Sequence, residues 1–183
     1  GVSPDTVSYR HIVDAFASAG NLSRVAELFS EMASTGHTPE ASAYLGLMEA
    51  HTSVGATAEA VAVLRQMQAD GCTPTAATYR VLLDLYGRQG RFDGVRELFR
   101  EMRTAVPPDT ATYNVLFRVF GDGGFFKEVV ELFHDMLQTG VEPDMVTCEN
   151  VMAACGRGGL HEDAREVLEY MTGEGMVPTA DAY

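Results

Sequence analysis

The chain has 183 residues and carries 13 lysines and arginines against 26 aspartates and glutamates, a formal net charge of −13 at pH 7. An apolar fraction of 46% argues against a disordered chain, and no apolar run is long enough to span a membrane. Three scattered cysteines are too few for a disulfide scaffold, which indicates a reducing compartment, and the acidic balance weighs against a general phosphate-backbone binder.

Prolines recur along the chain at a nearly constant spacing. Leaving out Pro107, successive prolines are 35, 35, 34, 35 and 35 residues apart: Pro4, Pro39, Pro74, Pro108, Pro143 and Pro178. Tyrosines keep the same register, with Cys148 in one tyrosine place, and so do methionines: Tyr9, Tyr44, Tyr79, Tyr113 and Tyr183; Met32, Met67, Met102, Met136 and Met171. A period of this length is typical of solenoids and other arrays.

This register predicts five repeats, at 6–40, 41–75, 76–109, 110–144 and 145–179. Residues 1–5 are then the tail of a preceding repeat, and residues 180–183 are the start of a further, truncated one. We therefore expect the chain to be a piece of a longer array, whose other domains or targeting segments lie outside it. We expect no secretory signal within it, because no charged segment followed by an apolar one opens the chain.

The first repeat predicts two helices. Its apolar residues follow the i, i+3, i+4, i+7 spacing of one helical face in two stretches: Tyr9, Ile12, Val13 and Phe16, then Val25, Leu28, Phe29 and Met32. One such helix pair cannot bury both apolar faces alone, so neighbouring pairs must stack. The predicted fold is an all-α superhelix in which the first helices line one face and the second helices the other.

Glycines mark the predicted helix ends, because glycine adopts the left-handed C-cap conformation without a side-chain clash. First helices are expected to end at Gly20, Gly55, Gly90, Gly124 and Gly159, and second helices at Gly36, Gly71, Gly140 and Gly175. The prolines that follow prevent continuation of the helix, and an aspartate or threonine beside the next helix start is expected to cap it.

The second and third repeats each depart from the pattern once. His51 takes the place of an aromatic residue, which predicts packing in the core or at the edge of the groove. The third repeat has lost one residue and has no glycine in its Ala105-Val106-Pro107-Pro108 segment. We expect a tighter second turn there and an unbroken stack.

The fourth repeat again carries two apolar faces: Tyr113, Leu116, Phe117 and Phe120, then Val129, Leu132, Phe133 and Met136. In the fifth, Cys148 and Cys155 occupy the places of aromatic residues, so we expect core packing rather than a metal or redox pair. The His161-Glu162 segment lacks the second histidine of a zinc-protease helix, and the glycine-rich turns have no Lys-Ser/Thr after them. We expect no enzyme activity, catalytic residue, metal or cofactor.

At these residues the chain resembles the pentatricopeptide repeat (PPR) family. The resemblance rests on the 35-residue period, on Thr110-Ala-Thr-Tyr-Asn-Val-Leu opening a repeat and on Gly140-Val-Glu-Pro-Asp144 closing it. It implies a right-handed α–α superhelix of helix–turn–helix hairpins that binds single-stranded RNA, one base per repeat, with single-stranded DNA left open as a ligand. It also implies a chloroplast location, with the mitochondrion as second choice.

The resemblance also implies which residues contact the RNA. The reading pair is the residue after each tyrosine together with the residue after each proline: Arg10 with Glu40, Leu45 with Thr75, Arg80 with Asp109, Asn114 with Asp144, and Glu149 with Thr179. Apolar sandwiching of the base is implied for Val7, Ser42, Ala77, Ala111 and Val146. Only Asn114 with Asp144 matches a pair that the family uses, the one for uracil, so the RNA sequence cannot be predicted.

Two functions therefore stay open. Most acidic residues fall on second helices, which predicts a near-neutral groove and weak RNA binding through a few arginines: Arg10, Arg80, Arg88, Arg118 and Arg157. The alternative is a protein-binding scaffold, since the 119–130 and 154–165 stretches resemble a PPR protein that associates with the plastid-encoded RNA polymerase. Plastid transcription or RNA-processing proteins are then the partners.

Uncapped repeat ends also predict end-to-end self-association.

Overall fold

The computed structural model describes residues 39–176 and, from the first repeat, residues 11–12, 15–16, 24–25, 27–28 and 31. From 39 to 176 every regular element is a helix, so the all-α prediction is confirmed for this part of the chain. The helices are α1 Ala41–Ser53, α2 Thr57–Ala69, α3 Ala76–Arg88, α4 Phe92–Ala105, α5 Thr110–Asp122, α6 Phe126–Gln138, α7 Met145–Gly158 and α8 His161–Gly173.

The chain divides into two compact units, Gly1–Leu85 and Tyr86–Tyr183, with the boundary inside α3. In the first unit α1 packs against α2. The shared core includes Tyr44 and Met48 from α1 with Leu64 and Met67 from α2, all fully buried. Burial of a large apolar side chain stabilises a fold by roughly 1.5–3 kcal/mol, so these four side chains hold α1 and α2 together as a hairpin.

In the second unit α5 packs against α6 and α7, and α7 packs against α6 and α8. Aromatic side chains fill the space between them. Tyr113 is fully buried between Phe99, with ring centroids 5.8 Å apart in an edge-on arrangement, and Phe117, at 6.1 Å in a stacked one. In this unit the α5–α6 and α7–α8 pairs therefore bury their apolar faces within each pair and against each other, as the repeat pattern predicts.

The predicted turn glycines are confirmed wherever the structure describes them. Their φ angles lie between 67° and 82°, in the left-handed region, at Gly55, Gly71, Gly90, Gly124, Gly140, Gly159 and Gly175. Gly20 and Gly36 lie outside the described residues. Gly159 is the C-cap of α7. Its N–H donates a hydrogen bond to the carbonyl of Gly156, and the N–H of Leu160 donates to the carbonyl of Cys155, so two carbonyl groups at the helix end have partners.

The third repeat closes without a glycine. Only residues 106–109 connect α4 to α5, whereas six residues, 70–75 and 139–144, connect the corresponding helices before and after it. The chain leaves α4 in an extended conformation at Val106, with φ −144° and ψ 132°, and reaches the N-cap of α5 directly. The predicted tighter turn is confirmed. None of the helices in the described residues is both long and apolar enough to cross a membrane.

Candidate nucleic-acid interface

The predicted reading positions occupy fixed places on the helices. The first member of each pair is the fifth residue of a first helix: Leu45 on α1, Arg80 on α3, Asn114 on α5 and Glu149 on α7. The second member directly precedes the next first helix: Glu40, Thr75, Asp109 and Asp144. Val7, Arg10 and Thr179 lie outside the described residues.

The fourth repeat brings its two reading residues together. Nδ2 of Asn114 donates a hydrogen bond to Oδ1 of Asp144 at 3.1 Å. Asp144 caps α7 through the same oxygen, which accepts from the backbone N–H of Thr147 at 2.8 Å. The Thr147 hydroxyl lies 2.7 Å from Oδ1 of Asn114 and 2.9 Å from Oδ1 of Asp144. An amide and a carboxylate are thus held side by side, with Asn114 half-buried and Asp144 exposed.

The hydrogen bonds keep Asp144 ionised. Burial by itself would raise the pKa of this carboxyl, but the N–H of Thr147, the amide of Asn114 and the hydroxyl of Thr147 all favour the charged form. Together they outweigh burial and hold the pKa of Asp144 below its ordinary value. At neutral pH the pair therefore consists of a neutral amide and a full negative charge.

The residues that precede the other described first helices differ in their hydrogen bonds. Oγ1 of Thr75 lies 3.1 Å from the Thr78 hydroxyl, and Leu45, the first reading residue of that repeat, has no hydrogen-bonding group. Oδ1 of Asp109 accepts from the backbone N–H of Thr112 at 2.8 Å and from its hydroxyl at 2.6 Å. Glu40 makes no cap hydrogen bond through its side chain, and Ala43 stands where the other repeats have a threonine.

These threonines were not identified from the sequence. Thr78, Thr112 and Thr147 are fully buried and sit three residues after the capping residue. Their signal was nevertheless present, since each directly precedes the tyrosine position of its repeat. The repeat spacing alone assigns these threonines to the core, because spacing does not show which polar atom a threonine hydroxyl contacts.

Val146 is the described residue that best fits the predicted base contact. Val146 is 52% exposed, whereas Val151 and Val167 of the same repeat are buried. It directly precedes Thr147, whose hydroxyl touches Asn114. Among the other predicted sandwiching positions, Ser42 and Ala111 are exposed and Ala77 is half-buried. An exposed branched apolar side chain beside an amide–carboxylate pair offers a flat base one apolar face and one polar edge.

The family is decided by sequence models. The model described as a pentatricopeptide repeat domain matches residues 1–44, 27–89 and 131–183, which together make up more than half of the chain. The model of the PPR repeat family matches residues 108–149, and a PPR repeat model matches residues 77–105. The chain belongs to the pentatricopeptide repeat family. Among curated proteins, none matches it.

Solved structures agree with this assignment. PPR10 from maize is 25% identical, with a TM-score of 0.59, over 100% of this chain and 31% of PPR10. PPR10 in complex with an 18-nt psaJ RNA element is 26% identical, with a TM-score of 0.68, over 100% and 30%. The PPR chain thus spans about a third of the length of PPR10. The PPR domain of Arabidopsis thaliana protein-only RNase P 1, in complex with tRNA, shares only the fold, at 14% identity, TM-score 0.74 and coverage of 94% and 91%. The predicted helical-repeat fold class is therefore confirmed.

The arginines expected to meet phosphates on the first helices of this PPR chain have acidic neighbours. Nη1 of Arg157 lies 3.5 Å from Oδ1 of Asp122, and its guanidinium stacks over the Phe126 ring at 5.6 Å. Arg88 and Arg118 line an open cavity of about 300 Å³ that Asp122 also lines. Arg10 lies outside the described residues. Asp122 thus offsets part of the positive charge of these arginines, and the near-neutral groove stays a prediction.

The acidic residues of the second helices are partly paired from one PPR repeat to the next. Arg96 on α4 and Glu128 on α6 form a two-bond ion pair, at 2.9 and 2.7 Å. Nη1 of Arg103 lies 3.0 Å from Oδ1 of Asp135, again between α4 and α6. Since exposed pairs contribute at most about 1 kcal/mol, they align neighbouring repeats more than they stabilise them.

The remaining candidates behave as structural residues. Cys148 and Cys155 are fully buried free thiols, as predicted, and burial raises the pKa of each to about 11. His51 is half-buried, and burial lowers its pKa against the opposing effect of Glu59. Its Nδ1 has no hydrogen-bond partner among the described residues. Within that part of the chain, no three His, Cys, Asp or Glu residues gather as a metal site would require.

Proposed function

We propose that this PPR chain binds single-stranded RNA along its first helices and that the fourth repeat contacts a uracil. The observation that carries the proposal is the hydrogen-bonded pair of Asn114 and Asp144. PPR10, a 26% identical PPR protein of similar fold, is known in complex with an 18-nt RNA element. The family code reads one base per repeat through two or three side chains, and these two residues occupy its positions.

The geometry supports uracil on chemical grounds. One N–H of the Asn114 amide points to Asp144, and the other has no partner among the described residues. A free N–H donor favours the O4 acceptor of uracil over the N4 amine of cytosine, which is itself a donor. Val146 supplies an apolar surface beside the amide, on which the face of the base can rest.

Fluorescence anisotropy with short adenine-rich RNAs tests this proposal. We expect an RNA with one central uracil to bind more tightly than the same RNA without it, and N114A to abolish the difference. The matched control is L45A, because Leu45 holds the same place on α1 but has no hydrogen-bonding group. An unchanged uracil preference in N114A would overturn the proposal.

A second candidate function is a protein-binding scaffold in plastid transcription. A row of exposed carboxylates favours it: Glu97 on α4, Glu131 on α6 and Glu166 on α8 stand at the same repeat position. A basic surface on a protein would match their spacing. Retention of plastid polymerase subunits after nuclease treatment would support this function, and complete loss on nuclease treatment would contradict it. The plastid location, with the mitochondrion as second choice, is part of the proposal and is tested by microscopy of the tagged full-length protein.

A further inference from the structure

Thr147 connects two repeats. It lies in the first turn of α7, in the fifth repeat, yet its hydroxyl reaches Oδ1 of Asn114 in the fourth repeat at 2.7 Å. The same hydroxyl lies 2.9 Å from Oδ1 of Asp144 and accepts from the backbone N–H of Asp144 at 3.2 Å. The side chain is fully buried, so water does not compete for these contacts.

The contacts select one orientation of the Asn114 amide. With Nδ2 toward Asp144 and Oδ1 toward Thr147, a donor faces the carboxylate and an acceptor faces the hydroxyl. In the flipped amide, Oδ1 would face the charged carboxylate and lose its hydrogen bond. The Thr147 hydroxyl accepts from the backbone N–H of Asp144 and has one proton to donate. The shorter of its two acceptor contacts is to Oδ1 of Asn114, which favours the selected orientation.

We propose that Thr147 is a positioning residue that fixes the amide of Asn114, so that the fourth repeat favours uracil over cytosine. This inference rests on the proposed RNA-binding function. The orientation decides the base, because the free N–H of Nδ2 matches the O4 acceptor of uracil, whereas an outward Oδ1 would match the N4 donor of cytosine. A residue of one repeat thereby sets the specificity of the repeat before it.

The chain contains a matched control for this role. Thr78 is also fully buried, holds the same repeat position and reaches the capping residue Thr75 through its hydroxyl at 3.1 Å. The first reading residue of that repeat is Leu45, which has no amide to orient. T78V therefore removes the same buried hydroxyl from the same kind of cap and leaves Asn114 untouched.

The first test uses the free protein and needs no RNA. The side-chain N–H resonances of Asn114, assigned by their loss in N114A, report the hydrogen bonds of the amide in ¹H–¹⁵N spectra. We expect T147V and T147A to move them toward the positions of solvent-exposed asparagines, and T147S and T78V to leave them in place. Two variants without the hydroxyl keep the test usable if one of them does not fold. Unmoved resonances in the folded variant overturn the proposal.

The second test measures binding of adenine-rich RNAs that carry one central uracil or one central cytosine. We expect T147V to lower the uracil-over-cytosine ratio roughly two- to ten-fold, the range of one net hydrogen bond, with T147S and T78V close to the wild type. A ratio lost in N114A but kept in T147V overturns the positioning role and leaves RNA reading intact. Equal binding of both RNAs by the wild type overturns the uracil preference of the fourth repeat, and the positioning role with it, whereas no binding of either RNA overturns the proposed RNA-binding function.

Discussion

Asp144 performs two tasks through a single oxygen atom. Its Oδ1 accepts from the backbone N–H of Thr147, in the first turn of α7, and from the amide of Asn114, in the same repeat as Asp144. A helix cap contributes about 1 kcal/mol, so the residue would be favoured here for stability alone. The reading pair therefore uses a carboxylate that the fold already holds in place.

The ionised state of Asp144 makes stability depend on pH. Because hydrogen bonds hold its native pKa below the ordinary 3.8, its carboxylate stabilises the fold above that pH, and the contribution is lost as pH falls through the native pKa. We expect D144N, which still caps the helix, to lack this dependence. Urea unfolding should show a wild-type advantage that is constant near neutral pH and shrinks below about pH 4. A carboxyl NMR titration of Asp144 with a midpoint at or above 3.8 would contradict this.

The hairpins depend on turn glycines more than on side-chain contacts in the turns. Gly140 is the second residue of the link after α6 and has a φ of 74°, and a methyl group placed on it would meet nothing within 4 Å. Its requirement is therefore purely one of backbone conformation. Gly156, inside α7, also has open space around it, but its φ is that of an ordinary helix.

These two glycines predict substitutions of opposite sign. G140A should lower the free energy of unfolding by about 1–2 kcal/mol, because alanine is strained in the left-handed region. G156A should raise it by about 0.5–1 kcal/mol, because alanine loses less conformational entropy in a helix. Urea unfolding midpoints of both variants measure the difference. Equal shifts in the same direction would show that the φ of Gly140 is not what the turn requires.

The net charge of −13 is distributed unevenly over the molecule. Arg96 and Arg103 already neutralise carboxylates on the neighbouring second helix, and Arg157 on a first helix lies beside Asp122. At physiological salt the Debye length is about 8 Å, so charges on the second helices act weakly on a ligand along the first helices. These three arginines of the described residues therefore have little positive charge to offer phosphates.

RNA binding by the chain is accordingly expected to be weak. Single-stranded ligands lose affinity with a log–log salt slope of about −0.7 per neutralised phosphate, so two or three effective contacts give a slope of roughly −1 to −2. Anisotropy titrations between about 50 and 200 mM salt measure it. R157A should change the slope little, since Asp122 already opposes its charge. A steep slope with tight binding would show that further cations reach the RNA.

The sequence alone was sufficient for the repeat architecture. Spacing of prolines, tyrosines and methionines predicted the helix pairs, and the glycines predicted where they end, because periodic burial and left-handed turns are local requirements of the chain. The register, together with the family resemblance, placed Asn114 and Asp144 at the two reading positions of the fourth repeat. It also predicted the shorter turn after α4, since a missing glycine and two prolines permit no other kind of helix end there.

Tertiary structure decided the chemistry at those positions. Whether Asn114 contacts Asp144, which oxygen it meets and how Thr147 holds the amide depend on how the fifth repeat packs against the fourth. The pairing of Arg96 with Glu128 across 32 residues was equally invisible in the sequence. Periodicity determines which residues share a helix face, but hydrogen bonds and ion pairs require atoms within about 3 Å, and only the packed helices bring atoms of separate repeats that close.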